Sequence, residues 1–388
     1  MFKPLEGVRV LDLTQVLAGP YATYQLALLG ADVTKIEPPE RGDWARAGPA
    51  LPEHAGQNMG VNYLTQNANK KSVTLDLKTE EGQQTIRKLI AQADIFVENF
   101  RPGTAARLGL SFDDVKALRP DIIYCSISAF GQDGPMSHRP AYDHVIQGMC
   151  GIMTTTGTQD SGPTKVGAPY IDYVTGLNAA FAVLTAVLDH RSNPRAIQLD
   201  VAMLDSSLLL MASMMTQNLS MGIEHKPTGN EAFSASPSSG AFETKEGLLM
   251  LAANNERQFK ALCGALGRED ILQDERWSEP STRAQNGKAL RDELVATLKT
   301  ETADEWELRL DKQAVPAARV RTLGEVLKEP QIQARGLMHQ MTDPFGGSYA
   351  VPTLGFKVDG ATVCPTTPPS ALGDDTEEVL SRVAEVSS

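Results

Sequence analysis

Short apolar runs alternate with helix-forming stretches through the first third of the chain, and that alternation restricts the fold more than any other feature. VRVLDL (Val8 to Leu13) reads as a buried strand, YATYQLALLG (Tyr21 to Gly30) as a short helix closed by glycine, and ADVTKIE (Ala31 to Glu37) as a second strand. The pattern continues with strand SVTLDL (Ser72 to Leu77), helix TEEGQQTIRKLIAQ (Thr79 to Gln92), and strands DIFVEN (Asp94 to Asn99) and DIIYCSIS (Asp121 to Ser128). Strands separated by helices predict a mainly parallel sheet covered on both faces, an α/β fold. Beyond about residue 200 the character changes. A long apolar helix (AMLDSSLLLMASMMTQNL), a Pro/Ser/Gly-rich loop, the strand AFETKEGLLMLAA and a run of helices up to about Lys328 predict a second, smaller domain. The Pro-rich segment CPTTPPSALGDD is expected to lie extended along a surface before a last helix, TEEVLSRVAEV.

With 388 residues, 41% hydrophobic and 22% charged, the chain can bury a large core in two domains. Its net charge of −12 argues against a nucleic-acid or anionic-membrane partner, both of which need clustered positive charge. The cysteines Cys125, Cys150, Cys263 and Cys364 are too far apart for a zinc motif and read as reduced core thiols, so no metal is expected. The N-terminus shows no signal-peptide pattern, and the apolar segments Ala179 to Leu188 and Leu208 to Met215 fall short of the ~20 residues of a membrane helix. A cytoplasmic protein is expected.

The opening βαβ unit, with Glu37 closing the second strand, invites a dinucleotide reading. The turn TQVLAGPYA lacks the GxGxxG glycines that let backbone approach a pyrophosphate, and no P-loop, HExxH or GxSxG motif appears elsewhere. His138 and His144 flank Tyr142 and Asp143 at a spacing that does not share one helical face, which favours structural histidines over metal ligands. Arg41, Arg46, Lys78, Arg101, Arg107 and Arg139 follow the ends of predicted strands, where α/β sheets build ligand crevices, and together suggest an anion site in an acidic protein. In GAPYIDYVTG, Asp172 stands where a Gly/Pro-rich turn gives way to an apolar helix. There it reads either as an N-cap or, with its anionic form favoured by the helix dipole, as a nucleophile.

The segments LEGVRVLDLTQVLAGPYATYQLALLGADVTKIEPPERGD, NANKKSVTLDLKTEEG, ADIFVENFRPGTAARLGL, SISAFGQDGP, GAPYIDYVTG and VAMLDS, in that order, resemble the class III CoA-transferases, the family of formyl-CoA transferase and the carnitine CoA-transferases. The resemblance spans essentially the whole chain. It implies a Rossmann-like large domain formed by residues 1–200 plus 330–388, a smaller α+β domain over 225–325, linkers at 201–224 and 326–330, and two chains interlocked as a homodimer. It implies CoA transfer from an acyl-CoA thioester to a free carboxylic acid with no permanent cofactor, coenzyme A being substrate. The family's nucleophile falls on Asp172. Its CoA contacts fall on Val16, Leu17 and Ala18, on Leu75 and Lys78, and on Arg107 and Leu108, while Met203 matches a position near the pantetheine.

Arg139 and Tyr142 are added as candidate CoA-side residues, and backbone N–H groups near Ala18, Gly19 or Asp172 as oxyanion donors. Leu17 and Pro38 depart from formyl-CoA transferase, which has Gln and a basic residue there, and this counts against formate and oxalate. By analogy, short-chain or dicarboxylic acids of the succinate, itaconate or mesaconate type are the expected substrates, with Arg46 or His144 available for a second carboxylate and the loop Phe233 to Gly240 as a lid. The α-methylacyl-CoA racemases share the fold and form the alternative. They carry His where this chain has Tyr142, and a phenol is a poor base at neutral pH.

Overall fold

The computed structural model describes residues 2–386 except Phe233 and Ala235. It divides into two units, one formed by the chain up to Ile152, Lys165–Ile223 and the part from Pro330 onward, the other by Met153–Thr164 and Glu224–Glu329.

The first unit is built on a six-stranded sheet of β1 (Arg9–Asp12), β2 (Asp32–Glu37), β3 (Lys70–Thr74), β4 (Ile95–Glu98), β5 (Ile123–Ser128) and β6 (Ile197–Ala202). The strand order is β3-β2-β1-β4-β5-β6 and every pairing is parallel. Val10, Ile95, Val97, Ile123 and Cys125 point into one core, shared with α1 (Ala18–Leu28) and the long helix Tyr170–His190. Leu11, Phe96 and Tyr124 point into the opposite core, under the helix Glu80–Gln92. Burial on both faces is why these strands read as unbroken apolar runs.

The chain winds from β1 outward through β2 and β3, then returns to the other side of β1 for β4. The C-terminal ends of β1 and β4 therefore flank the switch point at which open α/β sheets bind ligands. Edge strand β3 is covered by the Pro-rich tail. Asn69 Oδ1 accepts the N–H groups of Thr366 and Thr367, and Ser72 N donates to Asp375 Oδ2 at 2.7 Å. Of the linker expected over 201–224, residues 201–223 belong to this unit as the end of β6 and the helices Met203–Leu209 and Ala212–Met221, one predicted helix broken at Leu210 and Met211. The helix Tyr170–His190, at 21 residues, is by length and composition able to cross a membrane, unlike the shorter apolar segments expected there. Ala179, Ala180, Val183 and Ala186 form its buried face in the core it shares with α1, while Ile171 packs in a separate cluster with Ile146 and Met203.

The second unit holds a small antiparallel sheet of β7 (Ser239–Glu243), β8 (Leu248–Ala252) and β9 (Ala317–Arg319). Trp306, Phe259, Leu262, Leu290 and Leu294 fill its core. The stretch expected as a single strand, AFETKEGLLMLAA, folds back at Gly247, whose φ of +86° suits glycine, to make the β7–β8 hairpin. In the predicted lid, Phe233 and Ala235 lie outside the described residues. Ser238 is buried and donates to Ala253 O at 2.8 Å, and Ser239 and Gly240 belong to β7, so this end is fixed in the sheet.

Candidate active site

The turn after β1 is held almost entirely by side chains from elsewhere in the first unit. Asp12 Oδ1 accepts Thr14 N at 2.9 Å, and buried Lys35 donates to Thr14 O at 2.6 Å. Asn99, following β4, exchanges two hydrogen bonds with the Gln15 backbone at 2.8 and 2.7 Å. Asp43 Oδ1 accepts Val16 N at 2.9 Å, and Gln66 donates to Val16 O. Val16 has φ of +75°, a conformation a β-branched residue adopts only when its surroundings over-determine it, and these bonds supply that constraint.

Glycines then set the approach of two helices. At Gly19 a Cβ would lie 2.4 Å from Thr14 Cβ, and at Gly176 one would lie 2.7 Å from the Ala18 carbonyl oxygen. The long helix thus meets the start of α1 at backbone contact. Asp172 lies one turn before Gly176 on the same face, over the first turn of α1. The N–H groups of that first turn, Ala18 and Gly19, have no intrahelical acceptor.

Asp172 lines a cavity of about 190 Å³ together with Val16, Leu17, Ala18, Arg139, Tyr142 and Met203, so these sequence-predicted residues converge at the switch point. A neighbouring cavity of about 720 Å³ shares Gln15 and Phe100 with it and is lined by Leu75, Lys78 and Leu108. Arg107 is not on either wall. It is exposed and donates to Thr104 Oγ1 at 2.7 Å, and Thr104 is the residue of that short helix that faces the larger cavity.

Asp172 does not cap its helix, and no strand precedes it. The helix begins at Tyr170 after an irregular segment, Pro169 occupies the cap position without a side-chain bond, and the capping carboxylate is the buried Asp143. Asp143 Oδ2 accepts Ile171 N at 2.8 Å and Asp172 N at 3.3 Å, while its Oδ1 accepts Gln147 Nε2 at 2.6 Å. The N–H of Asp172 is therefore committed to Asp143. This leaves the first turn of α1, of the expected oxyanion donors, unoccupied. The electrostatic expectation is also reversed. Burial, followed by the negative charge of Asp143, pushes the Asp172 carboxyl up to about 7, so neutral forms of this side chain are favoured over the bare anion.

One further expectation is corrected. Arg46 is buried at 1% exposure and grips Glu37 through two 2.7 Å bonds, so it is no free partner for a substrate carboxylate, and Glu37 is no free partner for a ribose. His144 is exposed, with its ring stacked near that of Tyr142 at 6.4 Å between centroids. The residues the motifs did not single out are Asp43, Gln66 and Asn99. Their only sequence signal is the Gly42–Asp43 turn.

A doubly wound parallel sheet with no dinucleotide glycines in its first turn, and a cavity at its switch point lined by the acidic side chain of Asp172, defines an α/β protein with a candidate ligand crevice at the β1 turn. Residues 5–376 match the model of CoA-transferase family III. The chain is 35% identical over 382 residues to succinyl-CoA:glutarate CoA-transferase of Mus musculus, covering 98% of this chain and 86% of that one. It is 38% identical over 348 residues to succinate–glutarate CoA-transferase of Agrobacterium fabrum, covering 86% and 84%. A crystal structure of a CAIB/BAIF family protein from Brucella suis superposes with a TM-score of 0.88 at 32% identity, covering 99% of this chain and all of that one. The chain belongs to CoA-transferase family III and is an enzyme of acyl-CoA metabolism that takes CoA thioesters as substrates.

Proposed function

We propose that the protein transfers CoA from succinyl-CoA to a short dicarboxylic acid of the glutarate type through an aspartyl-CoA thioester on Asp172. The observation that carries this reading is the position of the Asp172 carboxylate, in a cavity at the N-terminus of α1 beside the β1 turn. The substrate class rests on the names of the relatives, which extend the dicarboxylates expected from sequence to glutarate.

A carboxylate oxygen of Asp172 attacks the thioester carbonyl. The C–S bond breaks, giving a mixed anhydride and CoA thiolate. The thiolate attacks the aspartyl carbonyl, the C–O bond to the donor acyl group breaks, and the donor acid leaves. The acceptor carboxylate then reverses the sequence. The burial and the Asp143 charge that raise the Asp172 carboxyl disfavour its anion, and both effects vanish in the neutral anhydride and thioester. The free N–H groups of Ala18 and Gly19 are positioned for the oxyanions of the tetrahedral intermediates, with the dipole of α1 behind them. The larger cavity suits the CoA body, with Lys78 toward the phosphates and Leu75 and Leu108 against apolar parts. Arg139 and Met203 would flank the pantetheine arm, with Val16, Leu17, Ala18 and Tyr142 around its thiol end. Arg107, exposed beside that cavity, would reach outlying phosphate groups.

A homodimer belongs to the same reading. Leu177, Phe181 and Leu188 form an exposed apolar stripe on the long helix, Phe181 at 69% exposure, and Leu209, Leu210, Leu219 and Met221 on the two helices after β6 are exposed as well. Such a surface suits coverage by a second copy. The acidic charge and the free, mostly buried cysteines fit a cytoplasmic enzyme.

The test is incubation with succinyl-CoA and glutarate, with product identified by mass. Glutaryl-CoA formed in step with succinate is expected. Failure to transfer to any acid in a panel of glutarate, itaconate and mesaconate, combined with α-deuteron loss from a 2-methylacyl-CoA in the absence of acid, would favour a racemase instead.

A further inference from the structure

A third cavity, of about 310 Å³, opens beside the β1 turn and is lined by Gln15, Val16, Arg41, Gly42, Trp44 and Tyr142. Three of these residues, Gln15, Val16 and Tyr142, also line the cavity of Asp172, so the two spaces adjoin across one short wall. The new compartment has a cation at one side and apolar surfaces around it. Arg41 is exposed and makes no hydrogen bond or ion pair among the described residues, in contrast to Arg46, Lys35 and Lys70, which are all buried in pairs. Trp44 is 64% exposed and Tyr142 53%, leaving large faces uncovered in this unit.

The platform that carries Arg41 and Trp44 is rigid and tied to the reaction centre. Gly42 has φ of +65°, and a Cβ there would lie 2.7 Å from Arg46 Cδ and 2.8 Å from Glu37 Oε2, so the turn is seated directly on the buried Glu37–Arg46 pair. Asp43 N donates to Glu37 Oε2 at 2.8 Å, and buried Lys35 holds Asp43 Oδ2 at 2.9 Å. Asp43 Oδ1 accepts both Ala45 N and Val16 N, each at 2.9 Å. One carboxylate oxygen thereby joins the Arg41–Trp44 turn to the residue that walls the Asp172 cavity. Preorganisation of this kind suits a site that must measure the distance between two ends of a substrate.

We propose that this compartment is the acceptor-acid subsite: Arg41 binds the carboxylate of the dicarboxylic acid that does not react, and Trp44, Val16 and Tyr142 enclose its methylene chain while the other carboxylate reaches the aspartyl-CoA on Asp172. The inference rests on the transferase reading above and adds to it the residues that select a dicarboxylate over a monocarboxylate. Guanidinium suits the task because its fork binds a carboxylate through two parallel bonds, and a partly enclosed apolar surround strengthens them. Arg41 also borders the larger cavity, which gives the competing role, a CoA-phosphate contact, a clear signature.

The experiment compares wild type, Arg41→Gln and Arg41→Lys with succinyl-CoA as donor and glutarate or pentanoate as acceptor, and measures free-CoA binding by calorimetry. In Arg41→Gln the preference for glutarate over pentanoate in kcat/KM is expected to fall by about tenfold or more through the KM of glutarate, with CoA affinity kept within about twofold. Arg41→Lys recovers part of that preference, and Trp44→Ala raises KM for both acids. An unchanged glutarate-to-pentanoate ratio in Arg41→Gln overturns the proposal, as does a loss of CoA affinity that matches the loss of activity. Absence of transfer to any acid by wild type overturns it together with the transferase reading, whereas a null result in Arg41→Gln beside an active wild type and an inactive Asp172→Ala removes the subsite alone.

Discussion

The carboxylate of Asp143 accepts the backbone N–H of Asp172 at 3.3 Å and of Ile171 at 2.8 Å, so one acid caps the helix on which the other is displayed. Capping by Asp143 frees the Asp172 side chain from the role its sequence position suggests, and it puts a second negative charge close enough to oppose ionisation. Asp143 thus fixes the position of the proposed nucleophile and adds its charge to the burial that already opposes ionisation.

This coupling gives a pH dependence. Asp172 must lose its proton to attack, and its carboxyl sits at about 7 because of burial and then Asp143. The acid limb of kcat/KM should therefore rise with pH through about 7 rather than near 4. Asp143→Asn removes the smaller of the two causes, so its inflection should move to lower pH while staying above the ordinary aspartate range. A wild-type profile flat from pH 5 to 8 would contradict the assignment.

Stability should run opposite to activity. Between the ordinary aspartate pKa and about 7 the folded state holds a proton on Asp172 that the unfolded chain has released, so this group's contribution falls as pH rises across that window. Asp172→Asn removes the burden. It should stabilise the protein at pH 8 by roughly 1–3 kcal/mol, and by nearly nothing at about pH 3, where Asp172 is largely protonated in both states. Urea melts at the two pH values check both the sign and the window.

Much of the first unit is legible in the sequence because β1, β4 and β5 are buried on both faces and write apolar runs into the chain. β6 is fainter. Ile197, Leu199 and Val201 alternate with Gln198 and Asp200, which are exposed, so its signal is a period of two just after the polar stretch RSNPR. The glycines at 19 and 176 stand in plain view, yet their meaning depends on a crossing of two helices more than 150 residues apart in sequence. Of the side chains that fix the β1 turn, Asp43 and Asn99 lie within the segments that carry the resemblance and Gln66 does not, but the bonds they make to Gln15 and Val16 join positions far apart in the chain and leave no local pattern. Local patterning places Asp172 near a helix start, but only tertiary contact reveals that Asp143 takes the cap.

The crossing of α1 and the long helix can be tested at Gly176. Even one methyl there meets the Ala18 carbonyl at 2.7 Å, and backbone cannot turn aside as a side chain would. Gly176→Ala should destabilise the fold by roughly 1–3 kcal/mol. It should also lower kcat more than it raises KM, since the helix that carries Asp172 is pushed off the first turn of α1. Thermal melts and steady-state kinetics on the same preparation separate the two effects.

Arg46 supplies a contrasting case. It lies near the site but serves the scaffold, paired with Glu37 out of solvent and hydrogen-bonded to Ser72 at 3.3 Å. Arg46→Ala leaves the Glu37 carboxylate buried and unpaired, and should cost about 3–5 kcal/mol in a urea melt. Added dicarboxylate should not rescue it.

The central claim, that Asp172 carries the CoA, is tested most directly by intact-protein and peptide mass spectrometry after incubation with succinyl-CoA and no acceptor. A covalent CoA adduct is expected, confined to the peptide that contains Asp172, discharged by glutarate and missing from Asp172→Ala. An adduct that survives in Asp172→Ala, or an active wild-type enzyme that shows neither the adduct after rapid acid quenching nor a hydroxamate at Asp172 after hydroxylamine, rules the claim out.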